Sequence, residues 1–163
     1  MKGRDVLFSS ASTDWATPPE VFEPLDKEFR FTLDPCATAE NAKCVRFYTA
    51  AEDGLQQPWA PHRVFMNPPY GREIRQWMAK AAEENTKGAL VVCLIHARTD
   101  TRWWHDCVEG KAAEVRFLRG RVRFLGAPNT CPFPSVVVVY RPGFAWLNGG
   151  RLAFAPIRRG NLA

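Results

Sequence analysis

The sequence has no apolar run near the ~18 residues that a membrane span requires. Its longest candidates, Ala89 to Ile95 and Val136 to Tyr140, are short and bounded by turn or charged residues, so a soluble protein is expected. No apolar stretch with a small-residue cleavage site follows Met1-Lys2-Gly3-Arg4-Asp5, so no secretory signal is read and a cytoplasmic setting is expected. Close cysteine pairs are missing too. Cys36, Cys44, Cys93, Cys107 and Cys131 are odd in number and irregular in spacing, which excludes a C-x-x-C zinc or redox motif and predicts reduced, mostly buried thiols. The histidines, His62, His96 and His105, are scattered without ligand spacing, and no metal is expected. There is no internal repeat and no low-complexity tract. Acidic residues nearly vanish from the last third: from Lys111 to Ala163 nine Lys or Arg face Glu114 alone, in a chain of net charge +5. Such asymmetry suits a polyanion-binding face, and a solvated basic surface is the alternative.

What is present fits one globular domain. The chain has 163 residues, 46% of them hydrophobic and 24% charged, enough for a real core. The whole of 1–163 reads as a single domain with its core at about 12–142; the first nine residues and the last dozen read as frayed ends. Phe29 to Leu33 reads as a strand ending at Asp34-Pro35, and Arg63 to Met66 as another ending at Asn67-Pro68. Ile74, Trp77, Met78 and Ala81 recur at helical spacing within Glu73 to Glu84, and Ala89 to Ile95 is a continuous apolar strand suited to the middle of a covered sheet. Thr99 to Glu109 reads as helical. Glu114 to Leu118, Arg121 to Leu125 and Ser135 to Tyr140 supply later β segments, with turns at Gly120 and Gly126 to Asn129. The pattern is α/β, with a mostly parallel sheet and an antiparallel late strand near Ser135 to Tyr140. In such sheets ligands bind at the carboxyl ends of strands, which puts Asp34 and Asn67 in one site.

Asn67-Pro68-Pro69-Tyr70 is the most informative tetrapeptide. Two consecutive prolines lock φ and remove N–H donors, which makes a stiff loop. A stiff loop suits methyl transfer to an aryl amine, whose lone pair is delocalised into the ring and must be turned toward the donor carbon. The Asn67 side-chain oxygen and the Pro68 carbonyl can each accept one N–H of that amine. Tyr70 offers an aromatic face for a base drawn out of a duplex. An ordinary strand-to-loop turn is the alternative.

These residues resemble motif IV of the amino-methyltransferases. Together, Asp14-Trp15-Ala16-Thr17-Pro18, Leu33-Asp34-Pro35-Cys36-Ala37, Asp53-Gly54-Leu55, Asn67-Pro68-Pro69-Tyr70-Gly71 and Arg98-Thr99-Asp100-Thr101-Arg102-Trp103 resemble the phage-type DNA N6-adenine methyltransferase (Dam) family over roughly residues 12 to 142. The resemblance implies a compact Rossmann-like fold and S-adenosylmethionine as cofactor. It further implies double-stranded DNA as partner, and the cytoplasm of a host cell as setting if the chain is phage-encoded. It assigns the amino acid end of the cofactor to Thr17 and to the loop of Asp34, Pro35, Cys36 and Ala37, and puts Asp53 near the adenosyl part. For Asp34 a strand-end cap is the alternative, and for Asp53 a turn residue before Gly54. Cys36 and Ala37 stand where the family usually has glycine. The stretch from Asp34 to Asn67 is too short for the family's full set of βα units, so this half of the fold must be trimmed.

The substrate side is read from charge. Arg98, Arg102, Trp103, Trp104 and His105 mix positive charge with aromatics, as backbone neutralisation and base stacking require; core anchoring of the tryptophans is the alternative. Arg119, Arg121 and Arg123, spaced by two, project from one face of a strand and suit a phosphate track. Asn-Pro-Pro-Tyr also occurs in families acting on protein glutamine or RNA guanine amines, and a catalytically silent nucleic-acid-binding protein is the rival from another class.

Overall fold

The computed structural model describes residues 16–144 and the backbone of 153–154. The expectations for Asp14, Trp15 and the frayed ends lie outside those residues.

Order along the chain is α1 (Pro19–Phe29), β1 (Arg63–Met66), α2 (Ile74–Thr86), β2 (Leu90–His96), α3 (Arg102–Cys107), β3 (Glu114–Phe117), β4 (Ser135–Tyr140) and β5 (Ala153–Phe154). The sheet is mixed, in the order β1-β2-β4-β3-β5. It is parallel where it starts, at β1 with β2, and antiparallel on both sides of β4; β5 joins β3 in parallel. Outside β1, Leu33 bridges Val64 and Asp34 bridges Phe47, both in parallel. The alternation of side chains sorts the core into two layers. On one face Val64, Met66, Val91, Cys93, Ile95, Val136 and Val138 meet Trp77 and Met78 of α2 and Trp103 and Trp104 of α3. On the other, Phe65, Val92, Leu94, Val137 and Val139 meet Val21, Leu25 and Phe29 of α1 with Val122, Phe124 and Cys131. β2 and β4, covered on both faces, carry the continuous apolar runs that such strands need.

Helix α1 takes the start of the segment expected as a strand at Phe29 to Leu33. Pro19 stands at its first position, where a missing N–H costs nothing, and Val21, Leu25 and Phe29 recur every fourth residue toward the core. Arg30 ends it in the left-handed region, its N–H bonded to Asp26 O at 2.7 Å, and the Asp26 carboxylate accepts from Phe31 N at 2.9 Å. Thr32 and Leu33 then bond to β1 at Arg63 and Phe65, with Leu33 in an isolated bridge to Val64, and Asp34 bridges Phe47 outside the sheet. The helix expected over Thr99 to Glu109 shortens to Arg102–Cys107. Arg121 to Leu125 is not a sheet strand. Its burial does alternate, with Val122 and Phe124 inside, but its backbone bonds go to Cys131 and Ala16 instead of a ladder.

Among the described residues no helix or ladder strand lies between Asp34 and β1. This stretch is pinned from α2 instead. The Glu84 side chain, 2% exposed, accepts from Trp59 N at 2.8 Å and Ala60 N at 3.1 Å and pairs with Lys80 and Lys87. Burial works against its charge, but these four donors prevail and hold the carboxyl down at about 2. Glu84→Gln should therefore cost about 2–4 kcal/mol at pH 7, read as a lower urea midpoint. Because the carboxyl is depressed in the fold, its contribution is full above about 4.5 and drains away toward pH 2; the gap between wild type and variant should close over that window.

Candidate active site

The parallel start of the sheet aligns the carboxyl ends of the Leu33–Asp34 segment, β1 and β2. β4, running the other way, begins opposite His96 at Ser135. Asp34, Asn67 to Tyr70, His96 and the approach to Ser135 thus share one edge of the sheet.

On that edge the Asn67 carboxamide is held at both ends. Its Nδ2 donates to Thr17 Oγ1 at 3.2 Å, and its Oδ1 accepts from the Tyr70 hydroxyl at 3.0 Å. Thr17 is 2% exposed, next to the bridge of Ala16 to Leu125, so the segment leading into α1 reaches the loop after β1. Tyr70 is half-buried, and its hydroxyl also lies 3.3 Å from Leu94 O. Its ring stacks on His96, with centroids 3.8 Å apart and planes 1° from parallel, and meets Phe124 edge-on at 6.2 Å. Pro68 is buried, and among the described residues no donor is bonded to its carbonyl.

Beside this loop lies the Asp34 carboxylate, 5% exposed. It accepts from Lys43 N at 3.1 Å and from Cys36 N at 3.4 Å, and among the described residues no side-chain cation pairs with it. Desolvation outweighs those two amides and the nearby charge of Lys43, and lifts the carboxyl from 3.8 to about 6. A buried carboxylate without an ion-paired partner suits a ligand that brings its own cation, and the α-ammonium of an amino acid moiety is of that kind. Cys36, where glycine was expected, turns its sulfur to the Asn67 backbone N–H; burial, then the Asp34 charge, pushes the thiol far up, so it is a neutral packing group. The 53–55 turn abuts the same loop. Gly54 is buried so tightly that a Cβ there would collide with the Pro35 carbonyl oxygen. Asp53, exposed and in the left-handed region at φ 51°, accepts from Leu55 N at 3.2 Å, which is the geometry of its turn-forming alternative. Ala37 is buried, its N–H bonded to Tyr48 O at 3.0 Å.

The structure therefore brings together Thr17, Asp34, Pro35, Cys36, Asn67, Pro68 and Tyr70. The arginines are divided. Arg119, Arg121 and Arg123 are exposed on the segment whose inward side chains, Val122 and Phe124, pack on the α1 face; Phe124 touches Tyr70. Arg102 stands on α3 on the other face, 3.5 Å from Asp106. Arg98 lies over the Phe133 ring at 5.2 Å, tying the exit of β2 to the 126–134 loop. Trp103 and Trp104 are core anchors, 9% and 6% exposed, which removes them as base-stacking groups. Part of the basic excess is neutralised locally, since Arg116 pairs with Glu28 and Glu114, and Arg141 with Glu114. Sequence reasoning missed His96, Phe124 and Cys131. The signal for His96 was its place at the end of the buried strand whose carboxyl edge carries the site.

No group of three or more His, Cys, Asp or Glu that could hold a metal ion occurs among the described residues, and none of their helices is long and apolar enough to cross a membrane.

Comparison with known proteins gives this geometry a context. Residues 7–142 match the family model for DNA N-6-adenine-methyltransferase (Dam). A protein of Escherichia phage T1 named DNA N-6-adenine-methyltransferase is 31% identical over 106 residues, covering 64% of this chain and 44% of that relative. A second relative, YfdM of Escherichia coli strain K12, whose name assigns it only provisionally to the methyltransferases, is 35% identical over 63 residues, covering 34% of this chain and 69% of its own length. The chain thus spans less than half the length of the phage T1 relative.

Proposed function

The chain belongs to the DNA N-6-adenine-methyltransferase (Dam) family, and from that premise we propose that it transfers a methyl group from S-adenosylmethionine to the exocyclic N6 of adenine in double-stranded DNA. The observation that carries the reading is the Asn67 carboxamide, clamped between Thr17 and Tyr70 beside the buried Asp34, which has no ion pair among the described residues. The layered α/β core supports a compact Rossmann-like methyltransferase fold. A DNA substrate sets the reaction in a cytoplasm, that of the host if the chain is phage-encoded.

Bound S-adenosylmethionine would supply an electrophilic methyl group on a sulfonium, an already activated leaving group. The protein's task is then positioning. Asn67 Oδ1 and the Pro68 carbonyl accept the two N–H groups of the adenine amine, favouring a tetrahedral nitrogen whose lone pair is out of the ring's π system and free to face the methyl donor. Pro68 and Pro69 keep these acceptors from turning away. No strong base is required, because the amine proton leaves once the nitrogen is cationic. Asp34, with the Pro35 to Ala37 loop and Thr17, holds the amino acid end of the cofactor, and the Asp53–Gly54 turn borders the adenosyl part. Tyr70, already stacked on His96, offers its ring to the extruded base.

Arg119, Arg121 and Arg123 track the phosphates beside the site, with Arg98 and Arg102 at its flank. Replacing the first three together by glutamine should weaken DNA binding about tenfold or more at low salt. It should also flatten the slope of log affinity against log salt by about 2 to 3, with S-adenosylmethionine binding intact. Fluorescence anisotropy over a salt series reads both.

The function is tested with purified chain and labelled S-adenosylmethionine offered duplex DNA, structured RNA and a protein extract in parallel. Label in DNA adenine supports the reading. Label in RNA or protein alone would replace it with the other amine-methylating classes, and no cofactor binding at all would favour a silent nucleic-acid-binding protein.

A further inference from the structure

We propose that His96 is a positioning residue for methyl transfer: its imidazole is the platform that fixes the Tyr70 ring and, through the Tyr70 hydroxyl, the orientation of the Asn67 carboxamide. This rests on the adenine-methyltransferase reading above. The Tyr70–His96 pair, at 3.8 Å and 1°, is the closest and most parallel ring pair among the described residues; the others lie 5.0 Å or more apart. From that stack the Tyr70 hydroxyl reaches Asn67 Oδ1, the atom that must face the adenine amine.

The platform is itself held. His96 is the last residue of β2, in register with Ser135 of β4, and the next amide, Ala97 N, donates to Pro134 O at 2.9 Å. Its Nε2 lies 3.1 Å from Cys131 Sγ, and Phe133 leans on the ring at 5.1 Å. Burial, with the Arg98 charge adding to it, pushes the imidazole down to about 4, and burial pushes the Cys131 thiol up. The pair is therefore neutral. The thiol donates to Nε2, which leaves the ring proton on Nδ1 by assignment from that hydrogen bond. Cys131 and Phe133 belong to the 126–134 loop, so His96 joins that loop to the catalytic one. A strand end that only needed filling would accept a side chain such as the Val, Leu and Ile found elsewhere in β2; a flat ring parallel to Tyr70 is what an oriented stack requires.

Without the platform the Tyr70 ring turns more freely, and Asn67 Oδ1 spends less time in its set orientation. Fewer bound adenines are then aligned, while the Asp34 loop is untouched. The loss should fall on kcat and leave cofactor affinity alone.

The test uses the full-length chain, genomic DNA from a methylation-deficient bacterium and labelled S-adenosylmethionine, with cofactor affinity measured by calorimetry as a check on folding. His96→Leu removes both ring and acceptor, His96→Asn keeps a partner for Cys131 without a ring, and His96→Phe keeps the ring alone. The first two should lose roughly tenfold in kcat with cofactor Kd within about twofold, and His96→Phe should recover most of the rate. If His96→Asn keeps the wild-type rate, if His96→Phe falls as far as His96→Leu, or if kcat and cofactor affinity fall together, the platform role is overturned. A wild-type chain that binds cofactor but methylates no DNA overturns the underlying reading and the platform role with it. An active wild type with indifferent variants overturns the platform role alone.

Discussion

Asn67→Ala is expected to lower methyl transfer to DNA by about 10²–10³-fold while leaving S-adenosylmethionine affinity within a few fold. The alanine removes the acceptor that orients the amine, and with it the acceptor of the Tyr70 hydroxyl and the donor to Thr17. Asn67→Asp is a sharper comparison, because it keeps an oxygen toward the amine and Thr17 can turn its hydroxyl to donate. The proposed methyl transfer needs an acceptor here and no base, so the aspartate should retain far more activity than the alanine. Single-turnover incorporation of labelled methyl groups at saturating cofactor reads the comparison. An alanine variant as active as the aspartate would remove Asn67 from the chemistry.

The second large effect is expected at Asp34. Its carboxyl sits at about 6 because burial outweighs its two backbone hydrogen bonds and the nearby charge of Lys43. The sign is unusual for a carboxylate. With its folded value raised above 3.8, Asp34 lowers the stability of the unliganded protein progressively as pH rises from about 3.8 to about 6, and the full cost persists above that. A cationic ligand reverses this, since it favours the ionised form. S-adenosylmethionine affinity should therefore be flat from about pH 6 to the ligand's own α-ammonium pKa of roughly 7.8, and weaken toward tenfold per unit as pH falls below 6, with proton uptake by the free protein. Asp34→Asn should abolish that pH dependence, reduce affinity roughly 100-fold at pH 7, and leave the unliganded fold no less stable at pH 7 than wild type. Calorimetry at several pH values and thermal unfolding without ligand read these together. An affinity loss that came with an equal loss of unliganded stability would make Asp34 a cap for its own loop and nothing more.

These effects trace to features of uneven legibility in the sequence. Asn67-Pro68-Pro69-Tyr70 was readable because two prolines at the end of an apolar strand constrain their own backbone whatever surrounds them. Asp34 was placed on the same edge by the same logic of strand ends. β2 and β4 declared themselves as unbroken apolar runs. Helix α1 did not, because Pro24 inside the helix masks the spacing of Val21, Leu25 and Phe29. What separates Phe29 to Leu33 from a strand is the left-handed turn at Arg30, a conformation fixed by Asp26. Arg121 to Leu125 has a strand's alternation, yet its hydrogen bonds go to neighbours that only the tertiary fold supplies. Trp103 and Trp104 read equally well as stackers or anchors, and burial against β2 and β4 decided for the anchor. Long-range pairings left no local trace at all. Glu84 with Trp59, Arg116 with Glu28, and Tyr70 with His96 are contacts between segments 25, 88 and 26 residues apart, and no window of sequence holds both partners.

Nucleoside mass spectrometry on DNA from a methylation-deficient bacterium expressing this chain, beside one expressing Asn67→Ala, tests the central claim most directly. N6-methyladenine in the first culture and none above background in the second is the predicted result. Unmodified adenine in both, from soluble protein that binds S-adenosylmethionine, would contradict DNA adenine as the substrate.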